Sequence, residues 1–225
     1  MAATVVFEER VEIPLTLRSL AEFRQWAQSA EFPERGRIDY LAGRIEVDMS
    51  PEDIFCHATL KTEIVGVLQR RIKRENRGYL MSDCTRVSNP AADLSVEPDV
   101  VFVSREAIDE GRIRLIPKAG AADRYVELEG AADLIVEIVS DRSVAKDTRR
   151  LPEAYFRAGV AEFWLFDVRG KTPHFSIHRR DPSGYEAVAA DAERFQRSTV
   201  LNCRFRLDGA RDARGFSNFD LREQD

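Results

Sequence analysis

Residues 96–103 (VEPDVVFV) and residues 133–140 (DLIVEIVS) are the two segments that decide the fold of this chain. Each places one carboxylate, Asp99 or Glu137, inside an apolar and β-branched run that is typical of a buried strand. Burying an ionised carboxylate costs free energy unless a positive partner compensates its charge, and a divalent cation shared by two carboxylates is such a partner. The two segments therefore predict neighbouring buried strands that carry a metal site.

A structural role is the alternative for each acid. Pro-Asp is a common turn pair, and a single acid in a strand often pairs with an arginine. The segment after Glu137 favours chemistry, because it predicts a basic helix that begins near Ser143, contains Lys146 and Arg150, and ends at Gly159 in a left-handed cap. Two acids followed by a lysine form an order that is typical of nucleases.

Length and composition indicate one cytoplasmic domain. The chain has 225 residues and a formal net charge of −5, and this length lies within the range of a single domain with a sizeable core. The apolar runs are too short to cross a bilayer, and Glu8, Glu9 and Arg10 stand where a secretory signal needs a hydrophobic stretch. We therefore expect a cytoplasmic protein that does not bind a membrane.

The cysteine and charge patterns argue against two further classes of protein. Cys56, Cys84 and Cys203 are odd in number and far apart, which favours buried reduced thiols over a disulfide framework or a zinc site. The acidic net charge argues against a protein that coats nucleic acid indiscriminately. It is compatible with a local basic groove, for which the helix that carries Lys146 and Arg150 is the main candidate.

Local patterns predict strands and helices through the first half of the chain. An amphipathic helix is expected at 17–29, a hairpin at 38–41 and 44–49 around Ala42-Gly43, and a long helix from Ser50-Pro51-Glu52-Asp53 to about Gly78. Further strands are expected at 79–87 and 96–103. Glycines and prolines at 105–124 predict an irregular connection.

The second half is predicted to continue the sheet. A strand at 133–139, the basic helix and a strand at 162–167 form a strand, helix, strand unit whose two strands are expected to be parallel. Later strands at 175–178, 185–189 and 200–207 are expected to extend the sheet. The tail at 210–225 is polar, and we expect it to fray.

Several of these segments together resemble one protein family. They are Glu97-Pro98-Asp99, residues 136–140 (VEIVS), Lys146-Asp147, residues 154–167 (AYFRAGVAEFWLFD) and residues 37–47 (RIDYLAGRIEV). This pattern resembles the Uma-type putative restriction endonuclease family, formerly a domain of unknown function, within the PD-(D/E)XK nuclease superfamily. The resemblance extends from about Leu15 to the strands beyond Asp167.

The resemblance implies an α/β fold of mixed α+β type. The expected architecture is a restriction-endonuclease-like core in which a central mixed β-sheet is flanked by helices and followed by additional C-terminal strands. Residues 1–225 would form a single domain, with the core at about 15–170, a strand extension at about 171–208 and the polar tail at 210–225.

The resemblance also implies metal-dependent cleavage of DNA. Asp99 and Glu137 would hold Mg²⁺ or Mn²⁺ through oxygen, and the carbonyl of Ile138 is an additional implied ligand. The cation would lower the pKa of a water molecule and offset charge at the phosphodiester. A homodimer is expected, because cutting both strands requires two sites.

The lysine of the superfamily motif is displaced in this chain. The position two residues after Glu137 is Val139, which cannot supply a cation. Lys146, near the start of the following helix, is the candidate for the basic role. Relatives often carry a lysine at the position of Leu151, and Arg150 beside it is the second candidate. A solvated surface lysine is the alternative for Lys146.

Asp39 and His57 are further candidates. Asp39 matches a position where relatives often have a glutamate, and its alternative role is a strand-edge acid paired with Arg37 or Arg44. His57 matches a histidine of the family that could contact a phosphate or a metal-coordinated water. Its alternative role is a hydrogen-bonded core or boundary residue.

Three functions remain open from the sequence. The leading hypothesis is a divalent-metal-dependent endonuclease that acts on DNA. The second is a catalytically degenerate relative that binds nucleic acid or a protein partner through the same cleft, a reading favoured by Val139 and by the acidic net charge. The third is a hydrolase of smaller phosphate esters.

Overall fold

The structure is a computed structural model that describes residues 12–33 and 36–225. Glu8, Glu9 and Arg10 lie outside the described residues. The helices are α1 (Leu20–Ala27), α2 (Thr59–Arg74), α3 (Arg105–Asp109) and α4 (Leu151–Ala158), and π-helical turns at Ile54–Ala58 and Lys146–Arg150 precede α2 and α4. None of these helices is long and apolar enough to span a membrane.

The strands of the described residues form three sheets. The first sheet has the order β2-β1-β5-β4-β8-β7, the second β12-β11-β10-β9-β6-β3, and the third β13-β14-β15. The strands are β1 (Arg37–Leu41), β2 (Arg44–Asp48), β3 (Gly78–Ser82), β4 (Arg86–Asn89), β5 (Leu94–Val96), β6 (Val100–Ser104), β7 (Ile113–Lys118), β8 (Ala121–Gly130), β9 (Leu134–Ile138), β10 (Glu162–Asp167), β11 (His174–Asp181), β12 (Gly184–Ala187), β13 (Gln196–Ser198), β14 (Cys203–Arg211) and β15 (Ser217–Gln224).

The mixed α/β class is confirmed, with a division that the sequence pattern did not predict. Both six-stranded sheets are mixed, since β4 is parallel to β8 and β9 is parallel to β10 while their other pairs are antiparallel. The expected single central sheet is therefore two sheets. The later strands also divide, because β11 and β12 extend the second sheet whereas β13, β14 and β15 form the third.

Asp99 lies where the chain crosses between the two large sheets. The expected strand at 96–103 is broken, because β5 ends at Val96 in the first sheet and β6 begins at Val100 in the second. Pro98 has no N–H to donate to a strand ladder, so the ladder ends on either side of it. The expected strand at 79–87 divides between the same two sheets, as β3 and β4.

The hairpin around Ala42-Gly43 is confirmed. Ala42 and Gly43 both have positive φ angles, of 49° and 78°, as the tight turn between twisted antiparallel strands requires. The start of the following helix differs from the prediction. The carboxylate of Asp53, not the Ser50 side chain, caps it by accepting hydrogen bonds from Phe55 N at 2.9 Å and Cys56 N at 2.6 Å. Residues 50–53 are thereby left outside the helix.

The prediction of an irregular connection at 105–124 is wrong. This segment contains α3 and most of a β7–β8 hairpin, and Gly120 has a φ of 75° at its turn. Pro117 lies at a shift in the β7–β8 register, where a missing N–H is tolerated. Pro117 and Gly120 therefore mark a bulge and a turn within a ribbon.

The strand, helix, strand unit is confirmed. Strands β9 and β10 pair in parallel, with Trp164 opposite Val136, and α4 ends at Gly159, whose φ of 86° gives the expected left-handed cap. Tyr155 of α4 and Trp164 of β10 are fully buried, and they anchor the helix and the strand in the core. The three cysteines are free, but only Cys203 is buried.

The prediction that residues 210–225 fray is wrong. Residues Ser217–Gln224 form β15, which pairs with β14 along its whole length. Leu221 is 2% exposed and packs into the same core cluster as α2 and the second sheet. The side chain of Arg71 on α2 is paired with Asp225 at 2.7 Å. The alternation of apolar and polar residues at 217–224 is that of a strand with one buried face.

Leu221→Ala tests whether the C-terminal strand is part of the cooperative fold. We expect the variant to lose about 2–5 kcal/mol of unfolding free energy, because the substitution leaves a cavity in the core. Chemical denaturation measures this loss. Asn218→Ala on the exposed face of β15 is the matched control and should change stability little. Equal, small effects of both variants would mean that this strand is not docked.

Candidate active site

Asp99 and Glu137 lie opposite each other on adjacent strands. The antiparallel register that pairs Val100 with Val136 brings Asp99 opposite Glu137, and cross-strand neighbours point to the same face of a sheet. Both side chains are almost completely buried, with exposures of 1% and 2%. The backbone N–H of Ile138 donates a hydrogen bond of 2.8 Å to Oδ2 of Asp99. The two acids singled out from the sequence therefore share one buried position.

Three cationic side chains surround Asp99. The Arg37 guanidinium lies 2.8 Å from Oδ1, the Lys61 ammonium 3.6 Å from the same oxygen, and Nε2 of His57 3.4 Å from Oδ2. Burial favours the neutral acid, but the hydrogen bond from His57 and the charges of Arg37, His57 and Lys61 outweigh it and lower the pKa of Asp99. Asp99 is therefore ionised at neutral pH.

Glu137 has the opposite electrostatic balance. Burial and the negative charges of Asp99 and Asp147 raise its pKa well above the ordinary value, whereas the charge of Arg37 and the hydroxyl of Tyr155 oppose this shift only in part. The Tyr155 hydroxyl donates a hydrogen bond to Oε1 of Glu137. Tyr155 therefore both packs α4 into the core and fixes the orientation of this carboxylate.

Lys146 and Arg150 occupy different environments. The Lys146 ammonium pairs with Oδ2 of Asp39, and its side chain is 13% exposed. Burial opposes its charge, but Asp39 and Glu137 outweigh burial and raise the pKa of Lys146, so that it remains protonated. Arg150 instead pairs with Glu46 at the surface, with 43% of its side chain exposed. Lys146 thus lies near the buried acids, and Arg150 does not.

The two positions where a motif lysine was missing contain core residues. Val139 and Leu151 are each 2% exposed, and Leu151 belongs to the apolar cluster under α4. A lysine at position 151 would have to extend out of this apolar cluster to expose its charge, whereas Val139 borders a cavity. Lys146 is therefore the basic residue of the 146–150 turn that lies near the buried acids, since it pairs with Asp39 and its pKa is raised in part by the charge of Glu137.

Asp39 is buried and has partners other than the two arginines considered from the sequence. Its Oδ1 accepts a hydrogen bond of 2.9 Å from the backbone N–H of Glu97, and its Oδ2 binds Lys146. Arg37 lies on the same strand but reaches Asp99 instead. Asp39 therefore connects the lysine to the segment that contains Asp99.

His57 lies between Glu52 and Asp99. Its Nδ1 is 3.3 Å from Oε2 of Glu52, and its Nε2 faces Asp99. Burial opposes protonation of His57, but the hydrogen bond and charge of Asp99 raise its pKa. One ligand atom from each of Glu52, His57 and Asp99 lies within 4.8 Å of the others, a separation compatible with a shared metal ion.

Sequence reasoning missed Glu52 and Lys61. Lys61 follows His57 by one helical turn, and residues with that spacing share one face of a helix, which was an available signal. Its ammonium is 2.7 Å from Oε1 of Glu52 and 2.6 Å from Oδ1 of Asp83. Glu52 was assigned to the first turn of the helix, and its position in an irregular segment before Asp53 brings it to His57.

A cavity of about 740 Å³ opens beside these groups. Its lining includes Arg37, Glu52, His57, Ile138 and Lys146, together with residues from the loop at 139–143. Asp99 and Glu137 lie beneath this lining. Arg37 and His57 both contact Asp99, so these two side chains separate the buried acids from the cavity.

Asp147 is a further buried carboxylate close to this site. It accepts a hydrogen bond from the Ser143 hydroxyl and is 4% exposed. Burial, assisted by the charge of Asp99 and opposed by the Ser143 hydroxyl, raises the pKa of Asp147 to about 7. Of the three buried carboxyl groups Asp99, Glu137 and Asp147, Asp99 therefore has a lowered pKa, whereas the pKa values of Glu137 and Asp147 are raised.

Asp147→Asn tests this electrostatic account in the presence of a chelator. The folded pKa of about 7 exceeds the ordinary value of 3.8, so wild-type stability should fall as pH rises from about 4 to about 7. Asparagine can still accept the Ser143 hydrogen bond but does not titrate. We expect the variant to match the wild type near pH ~4 and to exceed it by a few kcal/mol above pH ~7 in urea unfolding. A pH-independent difference would contradict the account.

The fold of the chain is similar to that of a solved protein. The crystal structure of a putative nuclease belonging to DUF820 from Anabaena variabilis aligns with a TM-score of 0.57 at 20% sequence identity. The alignment covers 82% of this chain and 90% of the Anabaena chain. At this identity the similarity shows the fold alone. No protein of curated function matches the chain.

The family assignment comes from a match along most of the sequence. A family model described as "Uma2: Putative restriction endonuclease" matches residues 20–208. The match includes the strands that carry Asp99 and Glu137, the helix α4 and the strand β10. It thereby confirms the resemblance found in the motifs and supports a nuclease function. The chain belongs to the Uma2 family of restriction endonuclease type.

Proposed function

We propose that this chain is a divalent-metal-dependent endonuclease that hydrolyses phosphodiester bonds of DNA. The observation that carries the proposal is the pair of buried carboxylates, Asp99 and Glu137, opposed on adjacent strands beneath a cavity. Membership of the family supports phosphodiester hydrolysis. Arg37 and Lys146 support a polyanionic substrate, because both are cations that line the cavity and could contact phosphate groups there.

The residues present fit Mg²⁺ or Mn²⁺. The donors are carboxylate oxygens of Asp99 and Glu137, which hard divalent cations prefer. The negative charge of Asp99 is one cause of the raised pKa of Glu137. A cation between the two carboxylates would relieve their mutual repulsion, which Arg37 compensates only in part. The carbonyl of Ile138 is the third proposed ligand, since the N–H of that residue already points at Asp99.

The proposed mechanism gives each residue a separate task. A bound cation would supply Lewis acidity, which lowers the pKa of water and offsets charge on the phosphodiester. Lys146 would contact the phosphate from the cavity wall, and Asp39 would hold its ammonium in place. Tyr155 would orient Glu137 by donating to one oxygen and leaving the other available. Arg37 would release Asp99 when the cation enters and bind the substrate phosphate, because it lines the cavity.

A noncatalytic binding protein is the second candidate function. The observation that favours it is the neighbourhood of Asp99, where Arg37, His57 and Lys61 already compensate the charge that a metal would compensate. The buried apolar residues Val139 and Leu151, at positions where a catalytic lysine would be expected, also favour a noncatalytic protein. In that case the cavity would bind nucleic acid or a protein partner without cleavage. Metal binding and strand cleavage separate the two candidates.

A homodimer is part of the endonuclease proposal. One site of this kind cuts one strand, and a two-fold dimer would place two sites on a duplex. Sedimentation analysis with and without duplex DNA tests this. Conversion of supercoiled plasmid directly to the linear form would support the dimer, and accumulation of nicked plasmid alone would indicate one independent site.

Glu137→Gln and Asp99→Asn test the role of the acids. Each variant keeps the size of the side chain and removes the negative charge, so we expect Mn²⁺-dependent plasmid cleavage to fall by at least ~10²-fold. Glu153→Gln on the exposed side of α4 is the matched control and should retain cleavage. Normal cleavage by both site variants would remove these acids from the mechanism.

Lys146→Met tests the displaced lysine. The variant should slow cleavage by ~10²-fold while Mn²⁺ affinity is retained, because the ammonium is proposed to act on the phosphate and not on the cation. Arg150→Met is the control, since Arg150 pairs with Glu46 at the surface. Circular dichroism of both variants establishes that they are folded. A slow Arg150 variant beside a normal Lys146 variant would reverse the assignment.

A further inference from the structure

We propose that Glu52 and His57 form a second cation position beside Asp99, and that this position selects Mn²⁺, Co²⁺ or Zn²⁺ over Mg²⁺. The inference rests on the proposed metal-dependent function and deepens it. The position is separate from the one between Asp99 and Glu137, and it would make the site a two-cation site. Asp99 is common to the two positions, because its Oδ2 faces Nε2 of His57 and the residue lies opposite Glu137 in the strand register.

The first observation is the convergence of three potential ligand residues, two carboxylates and one histidine. Oε2 of Glu52 lies 3.3 Å from Nδ1 of His57, and Nε2 of His57 lies 3.4 Å from Oδ2 of Asp99. The potential ligand atoms of these residues lie within 4.8 Å of one another. Glu52 and His57 come from the segment around the start of α2, and Asp99 comes from the crossover between the sheets. The fold therefore brings them together from distant parts of the chain.

The second observation is an unpartnered nitrogen. His57 is 8% exposed, and its Nδ1 is buried and makes no hydrogen bond. In the neutral imidazole Nε2 faces ionised Asp99, which can only accept, so the ring N–H belongs on Nε2 and the lone pair on Nδ1. That lone pair then faces a carboxylate oxygen of Glu52 across 3.3 Å. Two acceptors in this arrangement repel each other, and a cation between them removes the repulsion.

This arrangement of His57 matches the way proteins orient histidine ligands. A histidine that binds a metal through one ring nitrogen usually donates the other ring N–H to a carboxylate or a carbonyl, which fixes the tautomer and the ring orientation. Asp99 supplies that carboxylate here. His57 would bind the cation through Nδ1 while Asp99 holds the ring from the opposite side.

Lys61 prepares Glu52 for the same role. Its ammonium lies 2.7 Å from Oε1 of Glu52, which leaves Oε2 directed at His57. Lys61 is itself held by Asp83 at 2.6 Å. Lys61 thus fixes the orientation of the Glu52 carboxylate while contacting only one of its two oxygens. A single carboxylate oxygen remains free for a cation.

The position of Glu52 and His57 in the cavity wall and the types of their ligand atoms indicate which cation would bind. Glu52 and His57 both line the cavity, whereas Asp99 and Glu137 lie beneath it, so a cation entering from solvent meets this pair first. Nδ1 of His57 and Oε2 of Glu52 form a mixed donor set of nitrogen and oxygen. Imidazole nitrogen favours transition ions such as Mn²⁺, Co²⁺ and Zn²⁺, whereas Mg²⁺ prefers oxygen ligands and retains its water.

Counting bound Mn²⁺ by electron paramagnetic resonance tests the proposal. The full-length chain without DNA is titrated at alkaline pH, where imidazole is neutral. We expect two ions on the wild type, one on Glu52→Gln and one on Glu137→Gln. Glu153→Gln is the matched control and should retain both. Excess Mg²⁺ should displace only the ion that Glu52→Gln retains, because that ion has oxygen ligands alone.

The outcomes distinguish this inference from the proposed function. A single ion on the wild type that persists in Glu52→Gln and disappears in Glu137→Gln would overturn the second position and leave the endonuclease proposal intact. A single ion that disappears only in Glu52→Gln would support the Glu52 and His57 position and count against the Asp99 and Glu137 site. Two ions that Mg²⁺ displaces equally would overturn the proposed selectivity, and absence of binding would overturn the second position.

Discussion

The burial of the Asp99 carboxylate at the crossing between two sheets is the constraint on which the rest of the site depends. Pro98 ends one strand ladder before Asp99, and β6 begins the other ladder directly after it. A charge in this position requires compensation, and the chain provides it from three separate elements, through Arg37 of β1, His57 before α2 and Lys61 of α2. The first sheet, the long helix and the second sheet therefore meet at Asp99, and each of the first two supplies a cation to it.

The acids of the site differ because each has a different set of neighbours. Asp99 is compensated by cations, Asp39 by Lys146, and Glu137 in part by a tyrosine hydroxyl and the charge of Arg37. Buried polar groups whose charge or hydrogen bonding the protein satisfies only in part are characteristic of functional sites, because a bound ligand or substrate supplies the missing partner. The raised pKa of Glu137 and the unpartnered nitrogen of His57 both belong to this category. Both lie next to Asp99, and His57 lines the cavity whereas Glu137 does not.

Regular local patterns allowed much of the fold and part of the site to be predicted from the sequence. The hairpin turn at Ala42-Gly43 and the left-handed cap at Gly159 follow from local residue types, and the pairing of β9 with β10 follows from a short crossover helix. Glu52 and Lys61 were not identified, because the true helix cap is Asp53 and their convergence on Asp99 is a long-range contact. The division into two large sheets and the docking of β15 were also missed, since each depends on tertiary packing of short strands.

Diffraction from crystals grown with Mn²⁺ tests the central claim most directly, because anomalous scattering locates the ion independently of any activity. The account predicts an anomalous peak between the carboxylates of Asp99 and Glu137, with the Arg37 guanidinium moved away from Asp99. Peaks confined to surface acids, with Arg37 still paired to Asp99, would contradict the account and would make the two buried acids structural.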